Sequence, residues 1–120
     1  MSKDEWKKRI VESMKEAETY ANCFNDVVET LAGILEQRDA ADDAFRESGG
    51  EVIVEHTNKG GATNLAQNPA IRLINDLNRD ALAYWRDLGL TPKGLKAIND
   101  NAIKQKDQDA FLTALEKLGV

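Results

Sequence analysis

Apolar residues recur every three or four positions over most of this chain, and that spacing predicts a mainly helical protein. A first helix is predicted over residues 4 to about 18, and a second over about 26 to 46. Their apolar positions continue one three-four alternation, so periodicity alone also permits a single long heptad helix. We predict a break over residues 20–25, because two asparagines lie there and Asp26 with Glu29 has the spacing of a capping box.

After the second helix, apolar and charged residues alternate over residues 51–55, with β-branched residues in the middle. This period of two predicts a strand. Its predicted partner is the segment 62–65, across a turn at residues 58–61 that contains two glycines. A two-stranded hairpin of this size is not stable by itself in water, so we expect it to pack on the helices or on another subunit.

A third helix is predicted over residues 69–88, and both of its ends carry clear signals. Asn68 is a good cap, and Pro69 suits the first helical position. Gly89 supplies the left-handed residue that ends a helix, and Thr91 followed by Pro92 caps and opens the next one. Two short helices, over residues 92 to about 99 and 107–118, are predicted to complete the chain.

These elements predict a mainly α fold: an antiparallel helical hairpin of two long helices, with a small inserted β-hairpin and short terminal helices. A chain of 120 residues is expected to form a single domain, and 42% hydrophobic content is enough for a modest core. We expect an N-terminal helix in residues 1–24, a helical hairpin and oligomerisation core in 25–90 with the β-hairpin near 51–65, and short C-terminal helices in 91–120.

The motifs around the third helix stand in a recognisable order. Asn68-Pro69 is followed by a helix that ends Tyr-Trp-Arg-Asp and then by Leu-Gly-Leu-Thr-Pro. Upstream, in the same order, come Thr19-Tyr20, Phe24, the helix at residues 27–45, Gly49-Gly50 and the loop at residues 57–61. Over about residues 19–100 the sequence resembles a family of small terminase subunits, which serve DNA packaging in tailed phages and prophages.

The resemblance implies a non-catalytic, DNA-binding component of the viral genome packaging machine, acting as a homo-oligomeric ring. Such a protein recognises viral double-stranded DNA, recruits the large terminase subunit and regulates it. The ATPase and the nuclease reside in that large subunit. The resemblance therefore implies that this chain is not an enzyme.

Independent of the resemblance, the sequence holds few residues suited to catalysis or metal binding. A structural zinc site needs about four His or Cys ligands, and this chain has only His56 and Cys23. Residues 89–96 have the glycine spacing of a phosphate loop, but Leu95 and Lys96 follow Gly94 where that loop needs Lys and then Ser or Thr. We predict no enzymatic activity, no cofactor, no metal and no small-molecule substrate, with His56 a solvated loop residue.

One cysteine also excludes an internal disulfide, and no charged-then-apolar leader precedes Trp6. The sequence indicates neither secretion nor a membrane span, so we expect a protein of the host cytoplasm.

Charge is unevenly distributed along the chain, whose formal net charge is −5. Residues 1–50 contain seven basic and twelve acidic side chains, whereas the rest contain nine of each. Residues 91–106 contain four lysines and only one acidic residue, Asp100, which makes this segment the best candidate for phosphate contact. The predicted DNA-binding residues are Lys93, Lys96, Lys104 and Lys106. Lys59 and the basic residues 7–9 are alternative contacts.

The predicted residues of the core and of subunit contacts are Leu31, Leu35, Ile74, Leu77 and Trp85. Trp85 and Tyr84 could stack on bases, but their helical spacing favours packing.

Residues 92–118 could also form a helix-turn-helix, although the connection between the two predicted helices is longer than the turn of that motif. Two other functions stay open: an acidic helical adaptor that binds only protein, and a small dimeric DNA-binding regulator.

Overall fold

The computed structural model describes residues 1–119, except for the side chains of Ile103 and Lys104. Over this range the elements are α1 (Lys3–Glu16), α2 (Asn25–Glu47), β1 (Ile53–Thr57), β2 (Thr63–Gln67), α3 (Pro69–Asp87) and α4 (Pro92–Lys117). A 3-10 turn at Asn22–Phe24 precedes α2. The predicted mainly α fold, with a β-hairpin inserted between two long helices, is confirmed.

The predicted break between the first two helices is confirmed, but the predicted cap of α2 is wrong. Glu18 adopts a φ of 59°, which turns the chain out of α1. Phe24 is the residue before α2, and no side-chain hydrogen bond caps that end. A capping residue needs extended backbone, whereas the 3-10 turn leads Phe24 into the helix at φ −93° and ψ 2°. A capping box is present instead at α1, between Ser2 and Glu5.

The β-hairpin is antiparallel. Its first strand lies two residues further along the chain than the sequence predicted, and its second strand begins one residue later and ends two residues later. Ile53 pairs with Gln67, and Thr57 pairs with Thr63. In the turn, the Asn58 side-chain oxygen accepts hydrogen bonds from the backbone N–H groups of Gly60 at 2.9 Å and Ala62 at 3.0 Å. That local bonding holds residue 58 in the turn, as predicted, and the strands pair outward from Thr57 and Thr63.

The signals at the ends of α3 act as predicted. The Asn68 side chain accepts from the N–H of Ala70 at 3.0 Å, and Gly89 has a φ of +74°. The Thr91 hydroxyl oxygen accepts from the N–H of Gly94 at 3.0 Å and so caps α4. The turn between α3 and α4 is therefore specified by residues within it.

The C-terminal part corrects the sequence analysis, because one helix of 26 residues, α4, replaces the two predicted short helices. The segment 99–106 contains no glycine or proline. Its asparagines and aspartate cost at most about 0.7 kcal/mol each relative to alanine, which is too little to end a helix between good helix formers. A continuous helix also removes the helix-turn-helix interpretation of residues 92–118.

The core lies where α1, α2 and the C-terminal end of α3 meet. Its buried residues are Trp6, Ile10, Met14, Val28, Leu31, Ala32, Leu35, Ala81 and Leu88. Because α2 and α3 are antiparallel, the β-hairpin lies at one end of the pair and α4 leaves from the other. The molecule is consequently long, at 84 × 28 × 21 Å. Its radius of gyration of 22.4 Å far exceeds the roughly 14 Å of a compact chain of this length.

Asp39 ties α1 to α2 beside this core. Its carboxylate accepts from the Trp6 indole N–H at 2.7 Å, from Arg38 at 3.1 Å and from the Met1 ammonium group at 3.1 Å. Partial burial raises the pKa of Asp39, but the hydrogen bonds from Trp6, Arg38 and the ammonium group lower it more. The net pKa lies below the ordinary value of 3.8.

Asp39→Asn is expected to destabilise the protein by about 1 kcal/mol at neutral pH, because a charged acceptor is replaced by a neutral one at a partly exposed site. A lowered folded pKa means that the carboxylate stabilises the fold above its unfolded pKa and stops doing so as pH falls through the folded pKa. Urea unfolding at a series of pH values should therefore show the difference between parent and variant shrinking below pH 3.8. A difference that is independent of pH would contradict this role.

Candidate nucleic-acid interface

The lysines predicted to contact phosphate lie on α4. Lys93, Lys96 and Lys106 are exposed, whereas the side chain of Lys104 lies outside the described part of the chain. A helix rises 1.5 Å per residue, so Lys93 and Lys106 are about 20 Å apart along the axis. Lys96 is about 60° around the helix from Lys93, but Lys106 is about 140° away. Lys93 and Lys96 therefore share one side of α4, and Lys106 lies on its other flank.

Arg86 adds a cation that the sequence analysis missed. It lines a small cavity of about 210 Å³ together with Leu82, Thr91 and Lys93. The backbone brings them together: Gly94 lies so close to the Arg86 carbonyl that a side chain at residue 94 would overlap it. The first turn of α4 is thus packed directly on the last turn of α3. We call Arg86, Lys93 and Lys96 the junction cluster.

Among the described residues, no member of the junction cluster forms a salt bridge. In contrast, Arg79 is paired with Asp76 at 2.9 Å, two turns before Arg86 on α3. The three cations of the cluster are all exposed, so they keep their charge available to an anion. One sequence signal could have found Arg86, since basic residues recur every seven positions at residues 72, 79, 86 and 93.

The residues predicted for core and subunit contacts fall into two groups. Leu31 and Leu35 are completely buried within the subunit. Ile74, Leu77 and Trp85 are half-buried on α3, with Trp85 against the core. The first two therefore hold the fold, and the other three each leave part of their surface for a neighbour. Their part in subunit contacts stays a prediction.

Other candidate chemistry is dispersed in the structure. His56 and Cys23 are both exposed. The predicted exposure of His56 is confirmed, but its predicted loop position is wrong, because His56 lies within β1. Within the described residues, no three His, Cys, Asp or Glu side chains are grouped so that they could hold a metal ion. None of the helices that the structure describes is long and apolar enough to cross a membrane.

A family model described as phage terminase, small subunit, matches residues 2–105 of the 120. It covers the region over which the sequence motifs showed their resemblance, and that resemblance is confirmed. No curated protein and no solved structure matches the chain.

Proposed function

Because this chain belongs to the phage terminase small-subunit family, we propose that it is the non-catalytic DNA-recognition component of a viral packaging machine. In this role, copies of the chain form a ring in the host cytoplasm and bind viral double-stranded DNA. The ring then recruits the large terminase subunit and regulates it. Family membership is the premise, and the surface of the subunit supports its assembly and its contact with DNA.

Assembly is supported by the part of the molecule that lacks a core. None of the residues from 36 to 80 is buried, although this range contains half of α2, the β-hairpin and most of α3. We call it the distal stem. Apolar side chains in the stem are half-buried (Phe45, Ile71, Ile74, Leu77) or exposed (Val52, Ile53, Leu65, Leu73). Exposed apolar surface is typical of interaction sites, and we infer that neighbouring copies cover it.

The observation that carries the DNA step is the position of the exposed lysines on α4. A single subunit with a net charge of −5 is repelled by duplex DNA and offers only a few cations to phosphate. A ring presents Lys93, Lys96 and Lys106 once per subunit, on a helix that extends beyond the core. Repetition of weak contacts on one scaffold raises the overall affinity, because later contacts form within the same complex.

The DNA step is tested by replacing Lys93, Lys96 and Lys106 together with glutamate. We expect at least a tenfold loss of affinity for a duplex at low salt, because three cations that neutralise phosphates are removed from each bound subunit. The slope of log affinity against log salt should fall by roughly 0.9 for each phosphate that is no longer neutralised. Fluorescence anisotropy with duplex DNA over a salt series measures both quantities.

A matched control replaces Lys15, Arg46 and Arg72, which are exposed on α1, α2 and α3, with glutamate. This variant has the same net charge as the first, so it separates local contact from general repulsion. An equal loss of affinity in both variants, or an unchanged slope in the first, contradicts the role of the α4 lysines. Failure of the parent protein to bind any duplex favours a protein-only adaptor, and a strict dimer on a short palindrome favours a regulator.

A further inference from the structure

A groove lies between α1 and the junction of α3 with α4. It consists of two adjoining cavities of about 430 Å³ and 500 Å³. The apolar lining is Trp6, Leu82, Trp85, Leu90 and Leu95. Arg9 lines the groove, and Arg86 lies beside Leu82 at its edge. The one acidic residue in the lining is Glu16. The groove is thus an apolar trough with a basic margin.

The C-terminal half of α4 has the complementary character. We call residues 107–118 the α4 tail. Phe111, Leu112 and Leu118 are 64%, 56% and 76% exposed, and Leu115 lies among them. Their spacing of i, i+1, i+4 and i+7 forms one face of a helix. Asp107, Asp109 and Glu116 outweigh Lys117, so the tail is acidic.

The tail cannot reach the groove of its own subunit. Phe111 is about 24 Å along the helix axis from Leu95, which lies in the groove. Phe111, Leu115 and Leu118 are also about 140–200° around α4 from Leu95, on the side away from the body. Ile98, near Leu95, still lies against Gly89 of the body. Because α4 is one continuous helix, the tail face lies away from the body, where it is accessible to another molecule.

We propose that the groove of each subunit receives the α4 tail of a second copy. An amphipathic helix that places residues of one face in an apolar groove is a common mode of recognition. Tail and groove are opposite in charge, and each subunit has one of each. A single head-to-tail contact therefore covers both apolar surfaces on every subunit. Such a heterologous contact closes into a ring when its rotation permits. The proposal rests on the ring of the proposed function and names one of its contacts.

The test is chemical cross-linking between cysteines placed in tail and groove. In a Cys23→Ser background, Leu82→Cys is combined with Phe111→Cys, both at exposed positions. A short bismaleimide is used because it tolerates a wider separation than the roughly 4.4–6.8 Å between Cα atoms that a disulfide requires. We expect a ladder of covalent dimer, trimer and larger species on a denaturing gel. A mixture of the two single-cysteine variants should stop at the dimer, because each chain then has one reactive end.

The matched control pairs Leu73→Cys with Phe111→Cys. Leu73 is 51% exposed and Leu82 is 54% exposed, but they lie on opposite sides of α3. The control should lack the ladder. Equal ladders from both pairs, or no ladder from either, overturn the proposal. Dimers from Phe111→Cys alone also overturn it, because they show tails meeting tails.

Native mass of the uncross-linked parent separates this proposal from the proposed function. A complex of many copies without the ladder removes the tail-in-groove contact and leaves the packaging ring standing. A parent that stays monomeric at high concentration removes both.

Discussion

Leu31→Ala is expected to lower the free energy of unfolding by about 3 kcal/mol, within the roughly 2–5 kcal/mol that such core truncations cost. Leu31 is completely buried on α2, in the one region where α1, α2 and α3 meet. Truncation removes its apolar packing and leaves a cavity that the neighbouring helices cannot fully close. Small domains are stable by about 5–15 kcal/mol in total, so the effect is a large part of the total.

Leu73→Ala is the matched control, because it makes the same chemical change at a residue that is 51% exposed. It should alter stability by less than about 0.5 kcal/mol in the isolated subunit. Urea unfolding followed by circular dichroism measures both variants, at one protein concentration because assembly adds to apparent stability. If Leu31→Ala costs less than Leu73→Ala, the packing of the three helices is not the main source of stability.

Gly94→Ala is expected to destabilise the protein by about 1–3 kcal/mol and to displace α4 from the end of α3, since overpacking costs of that order are typical. A methyl group at residue 94 would overlap the backbone carbonyl of Arg86. Backbone cannot move aside as a flexible side chain can, so the helices must separate. The junction cluster and the groove would both be altered, because both are formed where α3 and α4 meet.

Gly33→Ala provides a control of opposite sign. Gly33 lies within α2, and a methyl group there would meet only the Lys3 side chain at 3.9 Å, an ordinary contact. Alanine at an open helical position should stabilise the fold by about 0.5–1 kcal/mol. Thermal unfolding and small-angle scattering measure stability and shape for both variants. If the Gly94→Ala variant is as stable as the parent and has the same radius of gyration, the close approach of residue 94 to the Arg86 carbonyl is not required.

The candidate interface could be predicted from the sequence only in part. Lys93, Lys96 and Lys106 stand out as local excess charge, and all three are exposed. Arg86 could not be assigned to the same cluster, because its position depends on how closely α4 packs on α3 around Gly94. The groove was likewise not predicted, since its walls come from α1, α3 and α4 and no local pattern states which helices are neighbours.

The sequence by itself determined the turns at the two ends of α3, because capping residues and left-handed glycines act over only a few residues. Asn68, Gly89 and Thr91 bond to, or bend, the backbone beside them, and the structure has each in its predicted role. The family could also be inferred from this order of motifs, and the match to residues 2–105 confirms it. Periodicity was less decisive. It allowed one helix across residues 20–25, where the structure has a break between α1 and α2. The sequence also suggested a gap between two helices near residue 100, where α4 is continuous.

Burial was decided by the tertiary structure alone. Leu31 and Ile74 occupy similar apolar positions in the helical pattern, yet one is completely buried and the other is half-buried. The difference arises because α1 covers α2 only as far as Asp39 and leaves the rest of the distal stem as two helices and a hairpin. An apolar side chain is buried only where other elements surround it, and their arrangement depends on contacts between residues far apart in the chain.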